Sequence, residues 1–345
     1  MNDEIEITDS PGSIIKHLII SGGGIAGLSY YGALRESAKN GLWNIENIES
    51  IYGTSIGSVI AIILALKYEW SILDDYLIKR PWQNVYKINM YSMVELLGLS
   101  LRNWQKNEQK NEQKNEQKNE QKNEQKNEQK NEQKNEQKSE QSPLGILNIT
   151  TIEETFLPLF KGKDISIDIT MKEFYELTKI ELHIYATELN SYKLIDISHK
   201  THPDWRVMDA TYCSCTLPML FTPIIKEDLC YIDGGVLLNY PLLPCLKIGS
   251  NPMEILGIKR TSNIIKKSSI NKETTLFDYL MMIMNKTFEQ FLVKHDNPMI
   301  AIELEITATP LTLYMFYNAV TSIDERIKLI DMGVEDVKSY MSNLA

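Results

Sequence analysis

The sequence predicts an α/β fold built on a mostly parallel sheet with both faces covered. Three observations carry that reading. Short, continuously apolar segments such as His17-Leu18-Ile19-Ile20 alternate with longer segments of helical pattern. Strands with no polar alternation are strands buried on both faces, which is the habit of parallel sheets. Two of the strand-to-helix junctions are rich in glycine, at Gly22–Gly24 and Gly53–Gly57. A chain of 345 residues, 43% of them hydrophobic, can bury a core of ordinary size.

Taken in order, His17–Ile20 reads as a buried strand, Ser21–Gly24 as a loop and Ile25–Ala38 as a helix. Ile48–Tyr52 is a second strand and Ile56–Leu66 a second helix. From Gln105 to Gln141 the unit Gln-Lys-Asn-Glu then recurs without one apolar residue. Such a stretch contributes nothing to a core, and its period of four stacks like charges at i,i+4, so a solvated, disordered insertion is expected. Beyond it, Thr170 with Glu173 forms a capping box. Glu181–Thr187 and Tyr192–Ile197 read as strands about an Asn190-Ser191 turn, and Arg206–Cys213 as a helix. Cys230–Ile232 and Glu254–Ile258 are short strands, and Leu276–Val293 is a long helical pattern. We therefore expect a tail at 1–13 and one domain over 14–345, interrupted by 105–141.

The bulk properties narrow the function. A net charge of −10 argues against nucleic acid as a partner, since phosphate binding needs a basic surface. The N-terminal MNDEIEITDS has no secretory pattern, and the longest apolar run, Val59–Leu66, is far short of the roughly 20 residues that span a bilayer. A cytoplasmic protein, with at most peripheral membrane contact, is expected. Cys213, Cys215, Cys230 and Cys245 include no C-x-x-C pair, so reduced thiols and no metal site are expected.

Gly53-Thr54-Ser55-Ile56-Gly57 matches G-x-S-x-G, the turn that exposes a nucleophilic serine between a strand and a helix. Gly22-Gly23-Gly24 can turn tightly and present consecutive N–H groups to an oxyanion. The same glycines, as Gly22-x-Gly24-x-x-Gly27, also fit an FAD- or NAD-binding loop. That alternative, an oxidoreductase, needs an acidic residue at the end of the next strand. Glu46 and Glu49 are near the required distance, but Glu49 sits at the start of the strand, whose end is occupied by Gly53-Thr54-Ser55. A serine nucleophile needs a base. Of the histidines, His17 and His183 fall in strands, His199 and His202 in a polar loop, and His295 in no motif. Asp233, at a strand end before Gly234-Gly235, is the best-placed carboxylate.

A glycine-rich loop, a G-x-S-x-G elbow and an Asp-Gly-Gly, in that order, resemble the patatin-like phospholipase family. Gly32-Ala33-Leu34, the segment Ala210–Pro218 and Asn239-Tyr240-Pro241 extend the resemblance over about residues 14–260. It implies a three-layer α/β/α fold and a Ser55–Asp233 dyad hydrolysing acyl esters of phospholipids or related lipids, as phospholipase A or lysophospholipase, with no cofactor. It implies an oxyanion hole of Gly22, Gly23, Gly24 and Ile56, with Gly53, Gly57, Gly234 and Gly235 shaping the turns. Ala26 departs from the family, many of whose members have Arg or Lys there, and the segment after Pro252 carries no part of the pattern. Finally, an aromatic stretch from Trp70 to Trp104 is interleaved with Lys79, Arg80 and Lys87. Two readings stand for this stretch: the aromatics pack against the sheet as core, or, since interfacial aromatics beside cations favour a bilayer surface, Trp82 and Tyr86 insert into lipid.

Overall fold

A computed structural model describes residues 14–87, 144–226, 228–261, 298–307 and 312–343, with 270, 279–280, 282–283 and 286 between them. The tail at 1–13, the repeat at 105–141, most of the helical pattern at 276–293 and His295 lie outside the described residues.

The first strand, β1 (His17–Ile20), sits in mid-sheet between β2 (Ser50–Thr54) and β9 (Ile255–Arg260), parallel to both. β10 (Ile302–Ile306) extends the sheet beyond β9, and β4 (Glu181–Glu188) beyond β2, again in parallel. Strands from both sides of the repeat thus build one sheet. Successive side chains point to opposite faces. Leu18, Ile20 and Ile51 enter the main core, whereas Ile19, Tyr52 and Tyr185 enter a smaller one with Leu242 and Cys245 of the helix Leu242–Lys247. Helices therefore cover both faces, giving the three layers expected.

Around β4 the ladder changes direction, and this positions the site. Ile184 pairs with Gly53 of β2 on one edge and with Ile197 of β5 (Lys193–Ile197) on the other. Ala186 pairs with Ile195 of β5 and with Asp233 of β8 (Leu229–Asp233), antiparallel to β4. β2 and β8 therefore share one edge of β4 and run toward each other. Thr54 pairs with Tyr185 and Asp233 with the next residue, Ala186, so the two strand ends meet.

The main helical layer includes α1 (Gly27–Lys39), α2 (Ile56–Ala65) and the C-terminal α10 (Ile323–Ser342). The sequence reading found no element for the last of these. α1 and α10 cross in backbone contact: a Cβ on Gly32 would lie 2.1 Å from Ile330 O, and one on Gly333 1.8 Å from Ser29 O. Only glycine permits that approach, and the Ser29 hydroxyl donates to Leu329 O at the crossing. The expected capping box is present at the start of the helix Met171–Thr178. No helix among the described residues is long and apolar enough to cross a membrane.

Candidate active site

Ser55 stands between the end of β2 and the start of α2, with φ 54° and ψ −126°. A non-glycine residue leaves its ordinary backbone region only when its surroundings hold it, at a cost of about 1–3 kcal/mol. Here both flanking peptides are held. The Ser55 N–H donates to Ser214 Oγ at 2.8 Å, and Ser55 O accepts from Ser58 N at 2.8 Å and Ser58 Oγ at 2.6 Å. Gly57 makes the turn possible, since a Cβ there would lie 2.3 Å from Ile20 O. All of α2 from Gly57 to Ala65 is buried, and its positive end lies at Ser55.

The head-to-head meeting of β2 and β8 brings Asp233 to the serine. Ser55 Oγ donates to Asp233 Oδ2 at 2.6 Å, and the N–H of Gly235 donates to Oδ1 at 2.7 Å. Asp233 is only 3% exposed. Burial pushes its pKa up to about 6, against the lowering pull of the Ser55 hydroxyl and the Gly235 N–H. A carboxylate with that pKa can take a proton near neutral pH.

Above Ser55 lies the glycine loop. The Gly22 N–H donates to Asn239 O at 2.9 Å, and Gly22 O receives Tyr30 Oη, Ser21 Oγ and Asn239 Nδ2. The expected donor at Gly22 is thereby corrected: its N–H is engaged in fastening the loop. Gly23 and Gly24 begin the 3-10 turn Gly24–Ala26, and Ile56 begins α2, so their N–H groups have no partner within those helices. Ala26 is buried in the turn and brings no charge. Among the described residues no histidine lines this site. His17 bonds Ser50, His183 lies between Glu181 and Asp196, and the His199 ring stacks on Tyr175. Glu49 precedes β2, at the opposite end of that strand from Ser55, which leaves the dinucleotide alternative without its acid.

Ser55 opens onto a cavity of about 180 Å³ walled chiefly by apolar side chains. Val59, Ile60 and Ile63 of α2 form one wall, and Trp82, Tyr86 and Phe316 stand among the others. Of the two readings open for Trp82 and Tyr86, this favours packing as core and corrects the lipid-surface one. Trp82 is 7% exposed and Tyr86 packs partly buried against the core, so their rings face inward to the cavity. Sequence reasoning missed Asn239 and Ser214 as site residues. Both lie in segments that carried the family resemblance, but neither has a motif of its own.

An α/β protein with a nucleophile elbow, a buried aspartate on its serine and a glycine loop above both is thus defined. Residues 18–246 match the model of the patatin-like phospholipase family, and the chain belongs to that family. It is 26% identical over 230 residues to an uncharacterized protein of Acanthamoeba polyphaga mimivirus, covering 67% of this chain and 61% of that one. It is also 26% identical over 228 residues to a probable lipid hydrolase of Invertebrate iridescent virus 6, covering 66% of this chain and 62% of that one. The chain spans about three fifths of the length of these relatives. Among solved structures it resembles VipD from Legionella pneumophila, with a TM-score of 0.39 and 18% identity, over 93% of this chain and 67% of that one.

Proposed function

We propose that this protein hydrolyses carboxylic esters of lipids through an acyl-enzyme on Ser55, with Asp233 as the base. The observation that carries the reading is the 2.6 Å hydrogen bond from Ser55 Oγ to a buried carboxylate at the mouth of an apolar cavity. As Ser55 Oγ attacks the ester carbonyl, its proton passes to Asp233 Oδ2. The carbonyl electron pair moves onto oxygen, and the N–H groups of Gly23, Gly24 and Ile56 receive that oxyanion. Collapse expels the alcohol, which takes the proton from Asp233. Water then repeats the sequence on the acyl-serine, freeing the fatty acid. With no imidazolium among the described residues of the site, the oxyanion donors carry a large share of the rate; one such donor is typically worth about 10²–10³ in turnover. A cavity of about 180 Å³ slightly exceeds the ~150 Å³ apolar cavity known to hold benzene, so it accepts a hydrocarbon segment of an acyl chain.

The test is a fluorophosphonate probe, followed by peptide mapping and by assay of fatty-acid release from dispersed phospholipid. Labelling at Ser55, with release of fatty acid, is the expected result. Labelling at another serine, or a purified protein that carries bound flavin, would reject the proposal.

The pH profile is a second expectation. The base works only when ionised, and burial places its pKa at about 6. On a short-chain ester in solution, kcat/KM should rise about tenfold per pH unit below 6 and level off above it. A profile that is flat from pH 5 to 8 would exclude a buried carboxylate as the base.

A further inference from the structure

The dyad sits where two strands meet end to end, and one short segment touches both ends. At this junction the ladder on β4 changes from parallel to antiparallel, between Tyr185 and Ala186. Ser214, in the last turn of α7 (Val207–Cys215), is fully buried there. Its hydroxyl donates to Tyr185 O at 2.6 Å and accepts the Ser55 N–H at 2.8 Å. Two residues on, Thr216 O accepts the Asp233 N–H at 3.0 Å. Residues 214–216 therefore bond the nucleophile through one backbone N–H, the base through another, and the strand beneath both through Tyr185 O.

We propose that Ser214 is a positioning residue that sets the Ser55–Asp233 distance. The proposal rests on the reading of Ser55 and Asp233 as nucleophile and base. Three features of the site support it. Ser55 occupies a backbone conformation that an L-residue leaves when released. Its N–H is tied by a hydrogen bond to Ser214 Oγ on another helix, α7. The hydroxyl meets a demand that a methyl group cannot, because it must donate to one backbone group and accept from another at once. Ser214→Ala would leave the Ser55 N–H and Tyr185 O facing each other's vacancy, and the elbow would relax. A displacement of the order of 1 Å in a reacting group costs about 10² in rate.

Ser214→Ala is compared with wild type and with Thr211→Val. Thr211 lies on the same helix, equally buried, and its hydroxyl donates only to Val207 O one turn back. It therefore reports the cost of losing a buried helix hydroxyl without a tie to the dyad. The readouts are kcat and KM on a short-chain ester in solution, the rate of fluorophosphonate labelling at Ser55, and melting temperature. Expected for Ser214→Ala are losses of about 10–10²-fold in both kcat and labelling rate, with KM within about twofold. Thr211→Val should keep kcat within about twofold at a similar loss of melting temperature. A Ser214→Ala variant with wild-type kcat, or one whose loss Thr211→Val reproduces, overturns the proposal. A wild type unlabelled at Ser55 overturns the nucleophile reading and this proposal with it. A labelled wild type beside a fully active Ser214→Ala variant overturns this proposal alone.

Discussion

Asp233→Asn should abolish ester hydrolysis and, at alkaline pH, make the protein more stable. The loss of activity follows from the proposed role of Asp233, whose carboxylate bonds Ser55 Oγ; losing one member of such a unit costs about 10⁴-fold or more in kcat. Ser55→Ala should match it and also abolish fluorophosphonate labelling. The gain in stability follows from burial. In the folded protein Asp233 has a pKa of about 6, above the 3.8 of the unperturbed group. The folded state therefore holds this proton more tightly than the unfolded chain. Well below the unfolded value of 3.8 both states are protonated and that stabilisation is fully present. It is lost as pH rises through 6, and at pH 8 the charged, buried carboxylate costs the fold about 3 kcal/mol. Asparagine never ionises, and its amide can accept from Gly235 N–H while donating to Ser55 Oγ. Melting curves should coincide at pH 4 and separate at pH 8, with the variant higher by something on the order of 3 °C. A variant melting below wild type at pH 8, or retaining a tenth of wild-type activity, would mean that Asp233 is not a buried base held at a cost to stability.

The parts of the site that were legible in the sequence are those whose physical demand is local. The elbow is one, because the turn at Ser55 requires small neighbours within two residues, and Gly57 lies against Ile20 O. Asp233 is another, because a strand end and a glycine turn mark it, and the Gly235 N–H it accepts lies two residues on. What the sequence did not disclose depends on distant partners. Apolar runs predict strands but not their direction, so the end-to-end meeting of β2 and β8 on one edge of β4 was invisible. The crossing of α1 and α10 depends on Gly32 meeting a residue about 300 positions away. Gly22 looked like an oxyanion donor because its N–H engagement depends on Asn239, far along the chain. The cavity wall is likewise assembled from separated segments, which is why the sequence left an aromatic-rich stretch open between core and lipid-facing surface.

Trp82 is where that difference has the largest measurable consequence. The indole N–H donates to Leu77 O at 2.9 Å, and its ring packs edge-on to Tyr76 at 5.4 Å and tilted against Tyr86 at 6.2 Å. The Arg80 guanidinium lies 4.8 Å above it. That cation is itself fixed by a defect in the helix Ile149–Lys161. Pro158 has no N–H to give Glu154 O, and Arg80 Nη2 supplies the missing donor at 2.6 Å while Nη1 reaches Thr155 O at 3.0 Å. Tyr86 continues the stack to Phe316 of the helix Leu313–Thr321, at 5.4 Å. Trp82 therefore joins three segments around the cavity, and truncating it removes a wall rather than a surface anchor. Trp82→Ala should cost about 3–5 kcal/mol, as large-to-small changes of buried aromatics do. The melting temperature should fall by something on the order of 5 °C or more. Hydrolysis of a short-chain ester in solution and of phospholipid vesicles should decline together, because under the proposed function both substrates would place their acyl group in the same cavity. An unchanged melting temperature, with activity lost on vesicles alone, would return Trp82 to the lipid surface.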